Sequence, residues 1–294
     1  MKITVEYAKE VIEKIDSTLL CPDAVSDDIQ KLCTEAVANG FKAVCVNPIN
    51  VPACKAALKE TMVKVCTVVG FPLGEELTKV KVYAARKALK AGADEIDFVM
   101  CISAAKMGRW DYVGKEIKKI TRLAGKVVVK VIIETCYLTR DEIRTACEVA
   151  VKNGARFIKT STGYGTAGAK VDDVAFIHNM VTETLKTDKP DALRCEVKAS
   201  GGIKTFAEAK AFVEAGATRI GTSTAAEIVL GSAAFNPAHR VKAAEPKVET
   251  VIAEDEKADD AADDAETAIE EYIDGAEETE STDESDSVFA ELDK

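Results

Sequence analysis

A repeated helix-to-strand junction is the feature that most restricts how this chain can fold. At Gly40, Gly92, Gly154 and Gly216 a segment with helical character ends on a glycine, and an apolar run follows soon after. Glycine at this place supplies the left-handed residue on which many helices end. The repetition predicts several α/β units that follow one another along the chain.

Eight short apolar runs are the candidate strands of these units. They lie at residues 15–20, 43–46, 63–69, 95–99, 127–133, 157–160, 195–199 and 219–221. Runs of this kind, without regular polar alternation, are typical of parallel strands that are covered on both faces. Helix-like segments lie between them, at residues 27–38, 77–91, 139–152 and 205–215.

This alternation predicts a single TIM (β/α)8 barrel over residues 1–240, close to the length of about 250 residues that is typical of the fold. The alternative is an open doubly wound sheet, which would have a Gly-x-Gly-x-x-Gly turn after its first strand. The chain has Cys-Pro-Asp-Ala there, at residues 21–24. In a barrel, the functional residues are expected at the carboxyl ends of the strands.

The end of the chain differs from the rest in composition. Residues 241–294 contain 4 lysines and 21 carboxylates, which leaves 35 basic and 29 acidic residues in residues 1–240. A segment with so much charge and so few large apolar residues is predicted to be a disordered acidic tail. Its simplest role is a solvating appendage, and the alternative is a docking peptide at residues 288–292.

Composition also excludes several kinds of partner. The mildly basic body suits a small anionic substrate and lacks the dense Lys/Arg stripe expected for nucleic acid. There is no 18-residue apolar run and no signal-peptide pattern, so we expect no membrane partner and a cytoplasmic protein with nine reduced cysteines. With His178 and His239 as the only histidines, we expect no metal and no other cofactor.

Two lysines at neighbouring strand ends are the candidate catalytic pair. Lys159 ends the sixth apolar run and Lys198 lies in the seventh, and hydroxyl and glycine residues follow both. Alone, each would be interpreted as a surface cation. Together, one ammonium disfavours protonation of the other, and a neutral amine can attack a carbonyl to form a Schiff base. Asp97 is the candidate proton-transfer carboxylate; the alternative is a buried aspartate that only satisfies polar contacts.

Small and hydroxyl residues at the strand ends predict a site for a phosphorylated substrate. Turns rich in glycine after the last two strands match the usual phosphate site of barrels, although a tight turn would also explain a Gly-Gly pair. The predicted substrate- and phosphate-binding residues are Asp16, Thr18, Thr162, Gly163, Gly201, Gly202, Gly221, Thr222 and Ser223.

Seven motifs in the chain resemble those of the deoxyribose-phosphate aldolase family. They are IDSTLL at 15–20, AVCVNP at 43–48, VVGFPLG at 68–74, GADEID at 92–97, KVIIET at 130–135, KTSTG at 159–163 and VKASGGI at 197–203. The resemblance runs from about residue 11 to residue 235. The chain departs from the family pattern at Ser17, Cys101 and Ala167, where His, Asn and Gly are usual.

The resemblance implies a class I aldolase that reversibly cleaves 2-deoxy-D-ribose 5-phosphate to D-glyceraldehyde 3-phosphate and acetaldehyde. It implies that Lys159 is the Schiff-base lysine, that Lys198 is the cation that favours its neutral form, and that Asp97 is the proton-relay carboxylate. We also expect a homo-oligomer, either a dimer or a tetramer. The alternative is a non-catalytic or weakly active sugar-phosphate-binding barrel with a partner-docking tail.

Overall fold

The computed structural model describes residues 4–188 and 195–233 of the chain. Within them, eight parallel strands close into a barrel in sequence order. The strands are β1 (Ile15–Leu19), β2 (Ala43–Val46), β3 (Lys64–Val69), β4 (Glu95–Val99), β5 (Val128–Ile132), β6 (Phe157–Lys159), β7 (Glu196–Ser200) and β8 (Arg219–Thr222). Ile15 of β1 pairs with Ile220 of β8, so the sheet has no free edge. The predicted TIM barrel is confirmed, and the open-sheet alternative is wrong.

Ten α-helices lie in the described residues. They are α1 (Val5–Ile12), α2 (Ser26–Asn39), α3 (Val51–Ala57), α4 (Thr78–Lys90), α5 (Ile102–Lys106), α6 (Trp110–Ala124), α7 (Arg140–Lys152), α8 (Val171–Asp188), α9 (Phe206–Glu214) and α10 (Ala225–Leu230). None of the helices in this part of the chain combines the length and the apolar character needed to cross a bilayer. The predicted acidic tail and the domain boundary at residue 240 lie outside the described residues and stay predictions.

The four junction glycines have the predicted backbone conformation. Their φ angles are positive, at 69° for Gly40, 101° for Gly92, 89° for Gly154 and 106° for Gly216. At Gly216 a side chain would also collide with a neighbour, because a Cβ there would lie 2.4 Å from Cγ of His178. The imidazole therefore packs against a helix-to-strand junction.

The barrel wall has an apolar outer face and a charged interior. Every residue of β2 and β4 is buried, as expected for strands covered on both faces. The outward-facing side chains pack under the helices as one apolar core. A smaller apolar cluster of Ala43, Cys45, Cys66 and Val68 is separate from it. This smaller cluster lies on β2 and β3, and charged side chains of the other six strands occupy the rest of the interior and form the floor of the candidate site.

Candidate active site

The structure brings the three predicted catalytic residues into direct contact. Lys159 is the last residue of β6, and Lys198 lies beside it in register on β7. Both side chains are buried, and both Nζ atoms lie 2.7 Å from Oδ2 of Asp97 on β4. One carboxylate oxygen thus accepts hydrogen bonds from two ammonium groups. Lys159 and Lys198 are close neighbours, as the sequence predicted, because they occupy paired positions on adjacent strands of the barrel.

These residues belong to a larger group of buried charges, which we call the ionic cluster. Its members are Asp16, Glu95, Asp97, Lys130, Lys159, Lys198 and Arg219. Nζ of Lys130 lies 2.6 Å from Oε2 of Glu95 and 2.7 Å from Oδ1 of Asp97. Nη1 of Arg219 lies 2.8 Å from Oδ1 of Asp16 and 2.7 Å from Oε2 of Glu95. The cluster therefore links six strands across the barrel interior.

The ionic cluster has four cations and three carboxylates, a net charge of +1. Buried charges are tolerated only when they are paired, because desolvation costs several kcal/mol per ion. Lys198 contacts Asp16 and Asp97, and Lys130 contacts Asp97 and Glu95, whereas among the described ion pairs Lys159 contacts Asp97 alone. The cluster can therefore release one proton from Lys159 without leaving a carboxylate unpaired.

The surrounding charges favour the ionised forms of Asp97 and Lys198, the two groups next to Lys159. Burial by itself would raise the pKa of Asp97, but Lys130, Lys159 and Lys198 outweigh it and hold that pKa well below its usual range. Burial by itself would lower the pKa of Lys198, yet the adjacent Asp16 and Asp97 carboxylates raise it above its ordinary value. Asp97 is therefore a carboxylate and Lys198 an ammonium at neutral pH.

A cavity of about 340 Å³ opens above the ionic cluster, at the carboxyl ends of the strands. Its wall contains Lys159 and eight of the predicted substrate- and phosphate-binding residues: Thr18, Thr162, Gly163, Gly201, Gly202, Gly221, Thr222 and Ser223. The ninth, Asp16, does not line this cavity. Its carboxylate lies in the ionic cluster, where Oδ2 accepts a hydrogen bond of 2.6 Å from Lys198.

The cavity wall also contains residues that sequence reasoning missed. Lys204 follows the Gly-Gly turn and adds an exposed cation beside Gly202. Tyr164 lines the cavity too, and its ring packs edge-to-face on Phe71 with the centroids 5.4 Å apart. The Phe71 ring centroid is 5.9 Å from Nζ of Lys159. The signal for Lys204 was its position between the Gly-Gly turn and the start of α9.

The loop after β6 closes one side of the cavity at a departure from the family pattern. Ala167 is half-buried there, and its neighbour Gly168 touches the Gly-Gly turn, since a Cβ at Gly168 would lie 2.1 Å from the carbonyl oxygen of Gly201. The amide of Ala169 donates to the carbonyl oxygen of Ser200 at 3.1 Å. The loop therefore keeps its contact with the turn although residue 167 is alanine.

One set of potential metal ligands lies in the described part of the chain. Sγ of Cys45, Sγ of Cys66 and a carboxylate oxygen of Asp97 lie within 4.8 Å of one another. Nζ of Lys130 is already 3.2 Å from the Cys66 sulfur and 2.7 Å from Oδ1 of Asp97. The ammonium group of Lys130 thus already contacts two of these three potential ligands.

Comparison with known proteins identifies the family. The model of the DeoC/LacD family aldolases matches residues 11–236, which is most of the chain. The chain belongs to this family. It is therefore an aldolase, a carbon–carbon lyase, and its ionic cluster and cavity lie where active sites of barrel enzymes are found.

Similar proteins carry a more specific name. The chain is 50% identical over 226 residues to a deoxyribose-phosphate aldolase of Carboxydothermus hydrogenoformans, covering 76% of this chain and 95% of that protein. It is 49% identical over 227 residues to one of Thermococcus gammatolerans, covering 76% and 96%. The tetrameric deoxyribose-phosphate aldolase of Aeropyrum pernix superimposes with a TM-score of 0.68 at 33% identity, covering 75% of this chain and 90% of that chain.

Proposed function

We propose that this aldolase reversibly cleaves 2-deoxy-D-ribose 5-phosphate to D-glyceraldehyde 3-phosphate and acetaldehyde through a Schiff base on Lys159. The observation that carries the proposal is the position of this lysine. Its amine faces a cavity large enough for a pentose phosphate, and on its other side it contacts Asp97. The names of the similar proteins support the same substrate.

The reaction starts when the neutral amine of Lys159 attacks the aldehyde carbon of the sugar. Loss of water from the carbinolamine gives a protonated imine, which acts as an electron sink. The C3 hydroxyl then loses its proton and C3 becomes a carbonyl, while the C2–C3 bond breaks and its electron pair forms an enamine. Protonation of the enamine at C2 and hydrolysis release acetaldehyde and restore the amine.

Asp97 and Lys198 manage the protons and charges of these steps. The Asp97 carboxylate is 2.7 Å from the reacting nitrogen, so it can accept a proton from the carbinolamine nitrogen and return it to the hydroxyl that leaves as water. Asp97 is then a carboxylate again and stabilises the imine cation. The Lys198 ammonium shares the same oxygen and opposes a second positive charge on Lys159. Asp16 holds Lys198 in place through its own hydrogen bond of 2.6 Å.

The other end of the cavity is suited to the phosphate group. Gly201 and Gly202 both have positive φ angles, of 90° and 80°, and form a turn in which neither residue has a side chain to cover its backbone N–H group, a usual arrangement at the phosphate sites of barrels. Ser223 and Thr222 add hydroxyls, and Lys204 adds a cation. Because these groups and Lys159 line the same cavity, a substrate with its aldehyde at Lys159 would place its phosphate at this end.

Three further expectations stay predictions. We propose a homo-oligomer, a dimer or a tetramer, with support from the tetrameric relative of Aeropyrum pernix. A cytoplasmic location is supported by the nine cysteines, all of which are free thiols. The expectation of no nucleic-acid partner is supported by the sequence of residues 1–240, which has no dense Lys/Arg stripe and, with 35 basic and 29 acidic residues, only a mild excess of positive charge.

Trapping with borohydride tests the mechanism. Reduction in the presence of substrate should fix a covalent adduct on Lys159, which peptide mass spectrometry can locate, because hydride converts the imine to a stable amine. Lys159→Ala should give no adduct and no cleavage in a coupled assay for glyceraldehyde 3-phosphate. Wild-type activity in Lys159→Ala would refute the Schiff-base assignment, and saturable binding without product in the wild type would favour the sugar-phosphate-binding alternative.

A further inference from the structure

A buried carboxylate behind the cavity wall has no part in the mechanism above. Glu134 follows β5, its side chain is 1% exposed, and it does not line the cavity. Its carboxylate oxygen Oε2 accepts a hydrogen bond of 3.1 Å from the backbone amide of Thr162 and another from the hydroxyl of the same residue. Glu134 therefore contacts the substrate cavity through one residue of its wall.

The backbone around Glu134 is adapted to this contact. Its φ angle of 51° is the only positive one among the non-glycine residues that the structure describes. Such a conformation is unfavourable for a residue with a side chain and persists where the surroundings hold it, often at functional sites. The opposite loop leaves room for the carboxylate, because a Cβ at Gly165 would lie 3.2 Å from the Glu134 carboxyl carbon and 2.8 Å from Sγ of Cys136.

These contacts determine what the Thr162 hydroxyl can offer to a substrate. A hydroxyl has one proton to donate and two lone pairs that accept. The proton is donated to Glu134, and one lone pair accepts from the amide of Tyr164 at 3.0 Å. The remaining lone pair can only accept. Thr162 therefore presents a fixed hydrogen-bond acceptor in the cavity wall.

We infer that Glu134 is a positioning residue: it orients Thr162 as an acceptor for a hydroxyl in the middle of the substrate. The inference rests on the proposed function, in which the aldehyde lies at Lys159 and the phosphate at the Gly-Gly turn. The hydroxyl-bearing carbons lie between these two ends of the molecule. A substrate without such hydroxyls, such as acetaldehyde alone, does not use this acceptor.

The test compares two reactions of the same lysine. One is cleavage of 2-deoxy-D-ribose 5-phosphate; the other is exchange of the methyl protons of acetaldehyde for deuterium, which needs the Lys159 enamine but no substrate hydroxyl. Glu134→Ala should lower kcat/KM for cleavage on the order of 10- to 100-fold, the effect of losing a hydrogen bond to a charged group, and leave exchange within about twofold of wild type. Parallel loss of both reactions would show a merely structural role and overturn the inference.

Variants of Thr162 keep the inference testable if Glu134→Ala does not fold. Thr162→Val should lower the ratio of cleavage to exchange by a factor similar to that of Glu134→Ala, and Thr162→Ser should restore most of this ratio, because serine keeps the hydroxyl. The variant with both Glu134→Ala and Thr162→Val should lose no more kcat/KM for cleavage than the more damaging of the two single variants. Additive losses in the double variant would contradict the coupling.

A matched control comes from another glutamate–threonine pair. Glu142 accepts a hydrogen bond of 2.7 Å from the amide of Thr139, and its own amide donates to the Thr139 hydroxyl at 3.3 Å, at the exposed start of α7. Glu142→Ala should leave the ratio of cleavage to exchange unchanged, and a changed ratio would refute the specific role of Glu134. Absence of both reactions in the wild type would instead refute the proposed function itself.

Discussion

Asp97 has three cationic partners, an unusual number for one carboxylate. Oδ1 contacts Lys130 and Oδ2 contacts both Lys159 and Lys198, all at 2.7 Å. Because these lysines hold its pKa well below the usual range, the resting group acts as a base or as a counter-ion, and becomes an acid only after taking a proton from a reaction intermediate. The proton-relay role implied by the family resemblance therefore starts from the ionised form.

The role of Lys198 can be measured by comparing two lysine-to-leucine changes. Lys198→Leu should lower kcat and move the pH–rate profile to higher pH, because the carboxylates that lose this cation then favour the protonated form of Lys159. Lys204→Leu is the matched control, and it should raise KM for the phosphorylated substrate without moving the profile. The measurement is cleavage rate against pH for both variants. An unmoved profile in Lys198→Leu would contradict the proposed electrostatic role.

At the scale of the elements, the loop after β3 is fixed against the end of β4. The carbonyl oxygen of Gly74 accepts a hydrogen bond of 2.6 Å from the buried ammonium of Lys81, which also contacts Glu116 at 2.7 Å. The amide of Cys101, just after β4, donates to the same glutamate at 2.9 Å. This contact holds the loop that carries Phe71 beside the reactive lysine.

Substituting two glycines that have nearly the same φ angle can distinguish the cost of a strained backbone from the cost of a steric clash. Gly74 has φ 72° and Gly108 has φ 71°, but a Cβ at Gly74 would lie 2.2 Å from the carbonyl oxygen of Met100, and one at Gly108 would meet no atom within 4 Å. Gly108→Ala should lower the free energy of unfolding by about 1–2 kcal/mol, the cost of the left-handed conformation, and Gly74→Ala by clearly more. Urea unfolding measures both, and equal losses would exclude the close contact.

The sequence predicted the strands better than the direction of their charged side chains. Each predicted strand agrees with the structure within one residue at either end, because the apolar runs and the glycine junctions are local signals. Glu95 and Arg219 are the first residues of β4 and β8, where a charge is normally expected in solvent. Only closure of the barrel turns both inward, so their place in the ionic cluster could not be predicted from local sequence.

Asp16 illustrates the same limit at the site. Its place in the first predicted strand, near Thr18, favoured a role in substrate binding, whereas its partners are Lys198, from β7, and Arg219, from β8. These contacts depend on the pairing of β1 with β8, the first and last strands of the barrel. Lys159, Lys198 and most of the cavity wall were predictable, because strand ends of neighbouring parallel strands always meet.

For the whole molecule, the ionic cluster couples stability to pH. The lowered pKa of Asp97 gives a stabilisation that is present above the unfolded value of about 3.9 and is lost as pH falls through the folded value. The raised pKa of Lys198 also gives a stabilisation. It is present below the unfolded pKa of about 10.4 and is lost as pH rises through the folded pKa. Neither contribution changes between about pH 5 and pH 9.5.

Asp97→Asn tests this dependence. At pH 7 the variant should be less stable than wild type by about 3–5 kcal/mol, the usual cost of removing one partner from buried ion pairs. The difference should be constant from about pH 5 to pH 9.5. It should shrink below about pH 4, where Asp97 takes up a proton in the unfolded wild-type chain but stays ionised in the folded one. Urea unfolding across this range measures it. A difference that stays the same down to pH 3 would contradict the lowered pKa.

The contact between Lys159 and Asp97 has a consequence for the timing of catalysis. An ammonium and a protonated imine both place one positive charge on the same nitrogen, so the carboxylate 2.7 Å away serves either species without moving. A barrel with Lys159 protonated therefore already has the charge distribution that its covalent intermediate requires. Little reorganisation energy remains to be supplied when the substrate arrives, because folding has already oriented the surrounding dipoles and ions.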